Sequence, residues 1–240
     1  MNILDVHTHD TGRYIQPYGY DVPTPNLQAF AEEGVLFRNA HCTGPTCSPS
    51  RAGMLTGLAP HSCGMVGLAH RGAKLFDPSR HLASFLSRNG YDTALVGVEH
   101  EGDPLANGYQ HVLKLSNRPW AERAMEQAEL VRGLLSASRE KPFFVSCGFI
   151  LTHRYGPEPY HQETGPRGDG RYLRPPAPLP DTPRTRQDFA DFREAAAAYD
   201  RAFGALMDVV RETGHADDTL ILVTTDHGIP FPFMKCNLTV

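Results

Sequence analysis

Several features that would place this 240-residue chain in a special class are missing from its sequence. No run of apolar residues is long enough to span a bilayer, so we expect no membrane segment. The net charge of −4 shows no excess of basic residues, which argues against nucleic acid as a partner. The five cysteines include no CxxC pair, so neither a zinc knuckle nor a disulfide framework is indicated. Any anion that the protein binds must therefore be held by a local group of cations.

A secretory signal is missing as well, because the segment from Met1 to His7 has neither a basic start nor a long apolar run. We therefore expect a cytoplasmic location, unless a leader was removed ahead of residue 1. The composition, with 40% hydrophobic and 21% charged residues, is that of an ordinary globular protein. A length of 240 residues is enough for one sizeable domain or two small ones.

Segments with the patterns of strands and helices alternate along the chain. Short apolar runs predict strands at residues 3–6, 91–97, 142–149 and 219–225, with a strand or extended segment at 35–37. Caps and amphipathic patterns predict helices at residues 25–33, 81–88, 121–138 and 188–213. The alternation predicts an α/β layered domain with a central, mostly parallel sheet flanked by helices.

One long stretch breaks the alternation. Residues 155–186 contain eight prolines and several glycines, interspersed with charges. Such a stretch is typical of a flexible linker, but a long loop within a compact α/β domain is also typical of a lid that contacts substrate. The composition leaves both interpretations open.

Polar clusters follow four of the predicted strands, and in a parallel sheet ligands bind beyond the carboxyl ends of the strands. These clusters are His9-Asp10, His100, His153 and Asp226-His227. Four strand ends with side chains suited to metal binding or acid–base chemistry would rarely occur together by chance. The sequence therefore predicts that they meet in one site.

The segment Cys47-Ser48-Pro49-Ser50-Arg51 predicts a nucleophile beside an anion site. Pro49 suits the first turn of a helix, which places Cys47 where free backbone N–H groups and the helix dipole favour anions. Arg51 follows Cys47 by four residues and can reach the same ligand. The alternative is a buried thiol before an ordinary helix, with Arg51 on the surface.

The pattern Cys47-x-Pro49-Ser50-Arg51-x-x-x-x-Thr56-Gly57 resembles the signature of the sulfatases, which belong to the alkaline phosphatase superfamily. In that family the cysteine is oxidised to formylglycine, whose hydrate attacks the sulfur of a sulfate ester or sulfamate. The resemblance implies an alkaline-phosphatase-like fold and a sulfated small molecule or sugar as substrate. It also implies a formylglycine-generating, or sulfatase-maturing, enzyme as a partner.

The metal ligands of the family find counterparts at two strand ends. Asp226-His227-Gly228 resembles the later ligand pair, and His9-Asp10-Thr11-Gly12 resembles the family's Asp-Asp-x-Gly with histidine in place of the first aspartate. The resemblance implies one divalent cation, Ca²⁺ in the family, held by Asp10, Asp226, His227 and His9. Imidazole ligands suit Mn²⁺ or Zn²⁺ better than Ca²⁺, so the identity of the metal stays open.

The remaining site residues follow from weaker matches. Lys235, which follows an Ile-Pro-Phe-Pro run, resembles a sulfate-binding position of the heparan N-sulfatase branch. His100 lies where the family has Gly-Lys-x-His, but the lysine position is Val98. The resemblance implies that Arg51 and Lys235 hold the sulfate and that His100 or His153 acts as acid or base.

The resemblance covers nearly all of this chain but only the front part of the family. We therefore expect residues 1–240 to form the N-terminal catalytic domain, with the C-terminal part of the family fold missing. An inactive or partner-dependent fragment and a related metal-dependent phosphoesterase stay open as alternatives. A third alternative is an amidohydrolase barrel, because a strand ending in His7-Thr8-His9 can present two imidazoles to one metal.

Overall fold

The computed structural model describes residues 1–138, 140–154, 160 and 165–236 of the chain. Its strands are β1 (Asn2–Thr8), β2 (Asp92–Gly97), β3 (His111–Leu113), β4 (Phe143–Phe149) and β5 (Thr219–Thr225). Its helices are α1 (Pro25–Glu33), α2 (Cys47–Thr56), α3 (Pro60–Cys63), α4 (Leu82–Arg88), α5 (Trp120–Leu135) and α6 (Pro183–Glu212). Short 3₁₀ turns lie at Gln16–Tyr18, Ala69–Arg71 and Pro78–Arg80. None of the helices in the described ranges is both long and apolar enough to cross a membrane.

The five strands form one sheet in the order β3-β2-β4-β1-β5, and every neighbouring pair is parallel. This confirms the predicted α/β class. Because all strands run the same way, their carboxyl ends meet at one edge of the sheet. The barrel alternative is wrong, because β3 and β5 are the two ends of an open sheet rather than neighbours.

The two faces of the sheet carry different layers of helix. Leu4 and Val6 of β1 pack with α5 and α6 in the main core. Residues at the intervening positions of β1 point to the opposite face. There Ile3 packs with Ala83 and Leu86 of α4. The alternation therefore places Asp5 and His7, two buried polar residues, on the α4 side of the sheet.

Helix α6 begins five residues earlier than predicted. Pro183 occupies its first turn, and the side chain of Thr182 accepts a hydrogen bond from the backbone N–H of Thr185. The Thr185 hydroxyl in turn accepts a hydrogen bond from the backbone N–H of Thr182, and the two bonds form a capping box. The proline-rich composition of this stretch hid the helix start, although proline is well suited to a first turn.

The described part of the predicted excursion at 155–186 packs against the domain. Leu173 and Leu179 are buried in a cluster with Phe189 and Phe192 of α6. Residues 155–159 and 161–164, which belong to the same predicted segment, lie outside the described residues. A role as a lid therefore stays a prediction.

Two short segments bear on the predicted strands. Residues 35–37, expected as a strand or an extended segment, form no strand, and the side chains of Val35 and Phe37 are exposed. Conversely, β3 was not predicted, because a three-residue strand is too short to show an alternating pattern. Its pairing with β2 depends on a neighbour that only the folded sheet supplies.

One buried histidine makes the stability of the fold depend on pH. His81 caps α4 by accepting a hydrogen bond from the backbone N–H of Ala83, and its side chain is fully buried. Burial lowers the pKa of His81 from 6.5 to about 4. The unfolded chain therefore takes up a proton between pH 6.5 and 4 while the folded chain does not, and stability falls as the pH is lowered through this window.

We predict that His81→Asn, which keeps a capping acceptor but cannot titrate, removes this part of the acid sensitivity. The free energy of unfolding of the wild type should fall by up to roughly 3 kcal/mol more than that of the variant between pH 7 and pH 4. Urea unfolding of both proteins across this range measures the difference. Equal pH slopes would contradict the assignment.

Candidate active site

Residues from the far ends of the chain meet at the carboxyl edge of the sheet. One ligand atom from each of Asp10, Cys47, Asp226 and His227 lies within 4.8 Å of the others, and all four residues are buried. Asp10 follows β1, Asp226 follows β5, and Cys47 opens α2. The sequence-based expectation of one shared pocket is therefore confirmed for these residues.

Helix α2 directs Cys47 into the pocket. Thr46 is the N-cap, Cys47 is the first helical residue, and Pro49 lies in the first turn as its missing N–H allows. The hydroxyl of Ser50 donates to the carbonyl of Asp226, which ties the helix start to the end of β5. As a result Sγ of Cys47 lies 3.5 Å from Nε2 of His227.

The carboxylate of Asp226 is the centre of the site. Its Oδ1 accepts hydrogen bonds from the backbone N–H groups of Asp10 and His227, both at 2.9 Å. Its Oδ2 lies 3.2 Å from Nδ1 of His9 and 3.3 Å from Nη2 of Arg51. Burial by itself raises the pKa of such a carboxyl, but the Arg51 guanidinium and the His9 contact hold the pKa of Asp226 well below its usual value.

Only one of the two carboxylate oxygens of Asp10 accepts a hydrogen bond from the described residues. Nζ of Lys235 donates to Oδ2 at 2.6 Å, whereas Oδ1 has no hydrogen-bond partner among the described residues. The backbone of Asp10 has φ 55°, a left-handed conformation that is uncommon for a residue other than glycine. Burial raises the pKa of Asp10, and the neighbouring Lys235 opposes the rise. A fully buried carboxylate oxygen without a donor suits a cation.

Arg51 lies inside the protein rather than on its surface. Its side chain is 1% exposed, and Nη2 donates to the carbonyl of Thr8 at 3.0 Å while also facing Asp226. Nη1 donates to Nδ1 of His7. The surface alternative is therefore wrong. The guanidinium holds the end of β1 and the Asp226 carboxylate together.

Three residues behind Arg51 were not predicted as part of the sulfatase-like site, and His7 was considered only as a metal ligand in the barrel alternative. Because Nδ1 of His7 accepts from Arg51, its Nε2 carries the proton and donates to Oγ of Ser146 at 2.9 Å. The Ser146 hydroxyl points to Oδ2 of Asp5 at 3.5 Å. Both ring nitrogens of His7 are thus engaged, so it offers no lone pair to a metal. The sequence signal that could have revealed them is the pair of polar residues, Asp5 and His7, at alternate positions of the otherwise apolar strand β1.

A glycine makes room for this chain of contacts. A Cβ atom on Gly148 of β4 would lie 2.6 Å from Cε1 of His7 and 2.1 Å from the carbonyl oxygen of Val98. Both distances are shorter than real contacts of a Cβ atom. The ring of His7 therefore fits between the strands because position 148 has no side chain.

The predicted acid–base histidines lie together beside His9. The ring centroid of His9 is 4.6 Å from that of His100 and 5.4 Å from that of His153. Burial lowers the pKa of His100 to about 4 and that of His153 to about 3. The imidazoles are therefore neutral at physiological pH, a state that suits hydrogen bonding to substrate or binding to a metal.

The thiol of Cys47 is not activated in this environment. Burial, reinforced by the charge of Asp226, raises the pKa of Cys47 to about 12. Since the thiolate is the nucleophilic form, an unmodified Cys47 reacts poorly at neutral pH. The site therefore resembles an oxyanion pocket more than a cysteine nucleophile paired with a base.

The donor set fits a cation. Carboxylate oxygens and neutral imidazoles converge on one buried volume, and Oδ1 of Asp10 lacks a partner. Asp10, Asp226 and His227 could hold an ion at the position that the family pattern implies, with His9 against Asp226. Lys235, His100 and His153 surround the same pocket, so the structure brings together every residue that was predicted for the site.

The sheet order and the buried donor cluster define the class as a layered α/β domain with a ligand site beyond the carboxyl ends of its parallel strands. A family profile described as Sulfatase matches residues 2–232. The chain therefore belongs to the sulfatase family.

One curated relative agrees with this assignment, and two solved structures share the fold. Human N-sulphoglucosamine sulphohydrolase is 32% identical over 242 residues, which cover 90% of this chain and 48% of the human protein. The solved structure of the phosphonate monoester hydrolase of Agrobacterium radiobacter matches 95% of this chain and 62% of its own chain, with a TM-score of 0.70 and 20% identity. Another match is a structure in complex with its substrate D-glucosamine-2-N,6-O-disulfate. It has a TM-score of 0.71 at 17% identity and covers 95% of this chain and 65% of that chain. The chain spans about half the length of the curated relatives it matches.

We predict that Arg51→Met destabilises the protein by roughly 3–5 kcal/mol, because it leaves the buried charge of Asp226 without its partner. Urea unfolding at neutral pH measures the loss. The control is Arg211→Met, which breaks the exposed ion pair with Asp208 and should cost less than about 1 kcal/mol. A cost for Arg51→Met no larger than that of the control would contradict the role assigned to Arg51.

Proposed function

We propose that the protein hydrolyses a sulfate ester or a sulfamate, with the side chain at position 47 as nucleophile after Cys47 is converted to formylglycine. The observation that carries this proposal is the position of Cys47. It opens α2, and its sulfur lies within 4.8 Å of ligand atoms of Asp10, Asp226 and His227. A nucleophile there faces cation-binding groups on one side and a helix N-terminus on the other.

The need for conversion follows from the electrostatics of the pocket. A thiol whose pKa is raised to about 12 is almost entirely protonated at neutral pH. A formylglycine at position 47 supplies, as its hydrate, one hydroxyl that attacks sulfur and a second that expels the sulfate when the aldehyde re-forms. A sulfatase-maturing enzyme, which provides the oxidant for the conversion, is therefore a required partner.

The cation has a defined place in this proposal. Asp10, Asp226, His227 and, on the family pattern, His9 would hold it. A divalent ion held by these residues would polarise sulfate oxygens and favour the ionised form of the nucleophile. Ca²⁺ is the ion that the family pattern implies, whereas the imidazoles of His9 and His227 favour Mn²⁺ or Zn²⁺.

Residues of the chain then serve the leaving group and the anion. Lys235 lies against Asp10 with 18% of its side chain exposed, so its ammonium group is available to a sulfate oxygen. When the ester bond breaks, the departing oxygen or nitrogen needs a proton, which the protonated imidazole of His153 or His100 would donate. A bound sulfate adds negative charge beside these rings and raises their pKa values toward the working range.

The names of the relatives favour a sugar as the substrate. The human relative is a sulphoglucosamine sulphohydrolase, and one solved structure contains a glucosamine disulfate. We therefore propose a sulfated sugar as the substrate class. A related phosphoesterase activity is the second candidate, because Val98 occupies the position of a family lysine and a phosphonate monoester hydrolase shares the fold.

An inactive or partner-dependent catalytic part is a third candidate, and it has its own support. Strand β5 is the last strand of the described sheet, and its Leu220 and Leu222 are 42% and 44% exposed. These two residues alternate and therefore lie on one face. An apolar face of this kind at a sheet edge is suited to cover by further structure.

We predict that the protein matured with a sulfatase-maturing enzyme releases sulfate, and that Cys47→Ala lowers the rate by about three orders of magnitude or more. Mass spectrometry of the peptide containing position 47 should show the loss of mass that conversion to formylglycine causes. Sulfate release from an aryl sulfate and from a sulfamated glucosamine measures activity.

The control is Cys42→Ala, which removes an exposed thiol and should leave both measurements unchanged. Formylglycine at position 47 without release of sulfate would favour the inactive or partner-dependent candidate. Faster hydrolysis of a phosphonate or phosphate monoester would favour the phosphoesterase.

A further inference from the structure

We propose that the pocket contains a second cation position, formed by His9 and His153 together with Asp10 and residue 47, and that this position selects a transition-metal ion. It would adjoin the position formed by Asp10, Asp226 and His227. In this arrangement His9 is a ligand of the second ion rather than of the first, and the proton for the leaving group comes from His100 rather than from His153. The proposal goes beyond the single cation of the proposed function and does not depend on the identity of the substrate.

The first support is the presence of two overlapping groups of donor atoms. In one group, ligand atoms of His9, Asp10, Cys47 and His153 all lie within 4.8 Å of one another. In the other, His9 and His153 are replaced by Asp226 and His227. Ligands at 2.0–2.3 Å from one ion are at most roughly 4.6 Å apart, so each group, with separations of up to 4.8 Å, is close to the size of one coordination shell.

The second support is an unsatisfied nitrogen in the interior. His9 is fully buried, and neither of its ring nitrogens has a hydrogen bond in the described part of the chain, although Nδ1 lies 3.2 Å from Oδ2 of Asp226. Many metal-bound histidines have a carboxylate beside the ring nitrogen that does not bind the metal, and the carboxylate of Asp226 lies beside Nδ1 of His9 in the same way. A buried polar atom left without a partner is costly, and a cation would satisfy it.

The third support is the capacity of Asp10 to be shared. Lys235 engages Oδ2, and Oδ1 has no hydrogen-bond donor in the described ranges although Asp10 belongs to both groups. Two ions that share a carboxylate lie about 3.5–4 Å apart in known two-metal sites. The second position is therefore a neighbour of the first and not a separate pocket.

The donor chemistry decides the kind of ion. Two imidazoles and one carboxylate form a set that binds Zn²⁺, Mn²⁺ or a similar ion in preference to Ca²⁺, which takes oxygen ligands. The ring of His100 packs edge-on against His9 at 4.6 Å and limits its rotation. His9 is thus held in place for binding, at the position where the family pattern has an aspartate.

The test is a metal titration of the metal-free protein, followed by mass spectrometry to record the state of position 47. We expect two equivalents of Mn²⁺ or Zn²⁺ to bind, measured by calorimetry and elemental analysis. His9→Gln and His153→Gln should each lower the stoichiometry from two to one. His111→Gln, which removes an exposed histidine on β3, should leave it at two.

A spectroscopic signature separates neighbouring ions from distant ones. Two Mn²⁺ ions that share Asp10 should give an exchange-coupled electron paramagnetic resonance spectrum, and His153→Gln should convert it to the signal of an isolated ion. Because His9 is fully buried, His9→Gln could disturb folding, whereas His153 is partly exposed and offers a second variant. Circular dichroism of each variant checks the fold.

One equivalent in the wild type, or two equivalents that persist in both histidine variants, would overturn the proposal. Release of sulfate by a protein that holds one ion would leave the proposed function intact and remove only the second position. Two bound ions without any release of sulfate would support the second position and contradict the proposed function. The two failures are therefore distinguishable.

Discussion

The buried carboxylate of Asp226 is the interaction on which the site depends. It receives backbone N–H groups from the loops after β1 and β5, and it faces the guanidinium of Arg51 from α2 and the imidazole of His9. Three separate elements are therefore tied to one charge. Because the charge of Asp226 is buried, each of these contacts is strong. The loss of one partner would leave part of that charge uncompensated. The position of Cys47 depends on this arrangement, since the hydroxyl of Ser50 holds α2 to the Asp226 carbonyl.

The charge balance of the pocket explains several properties at once. Two carboxylates, Asp10 and Asp226, face two cations, Lys235 and Arg51, and burial keeps the neighbouring histidines neutral. In this setting a thiol stays protonated, which is why the unmodified cysteine at the helix start is a poor nucleophile. The same setting leaves lone pairs on buried imidazoles, and these are the groups that bind transition-metal ions. The protonated thiol and the available imidazole lone pairs thus have a common electrostatic origin.

Much of the fold and of the site could be predicted from the sequence. The strands at 219–225 and 142–149 have apolar patterns strong enough to show without any neighbour, and the residues that follow parallel strands must lie at one edge. The start of α6 at Pro183 and the short β3 were missed, because one is hidden in a proline-rich stretch and the other exists only through its pairing with β2. The contacts of His7 with Arg51 and Ser146 were missed as well, since they join residues 44 and 139 positions apart.

By itself the sequence determined which chemical groups are available and at which strand ends and helix starts they lie. Hydrophobic periodicity and turn residues are local properties, so they are legible along the chain. Only the tertiary structure decided the direction of each side chain. It turned Arg51 inward to Asp226, placed Lys235 on one oxygen of Asp10 and left the other without a hydrogen-bond donor among the described residues. The reason is physical: desolvation and distance set the charge and partners of a group, and both arise only when distant segments pack together.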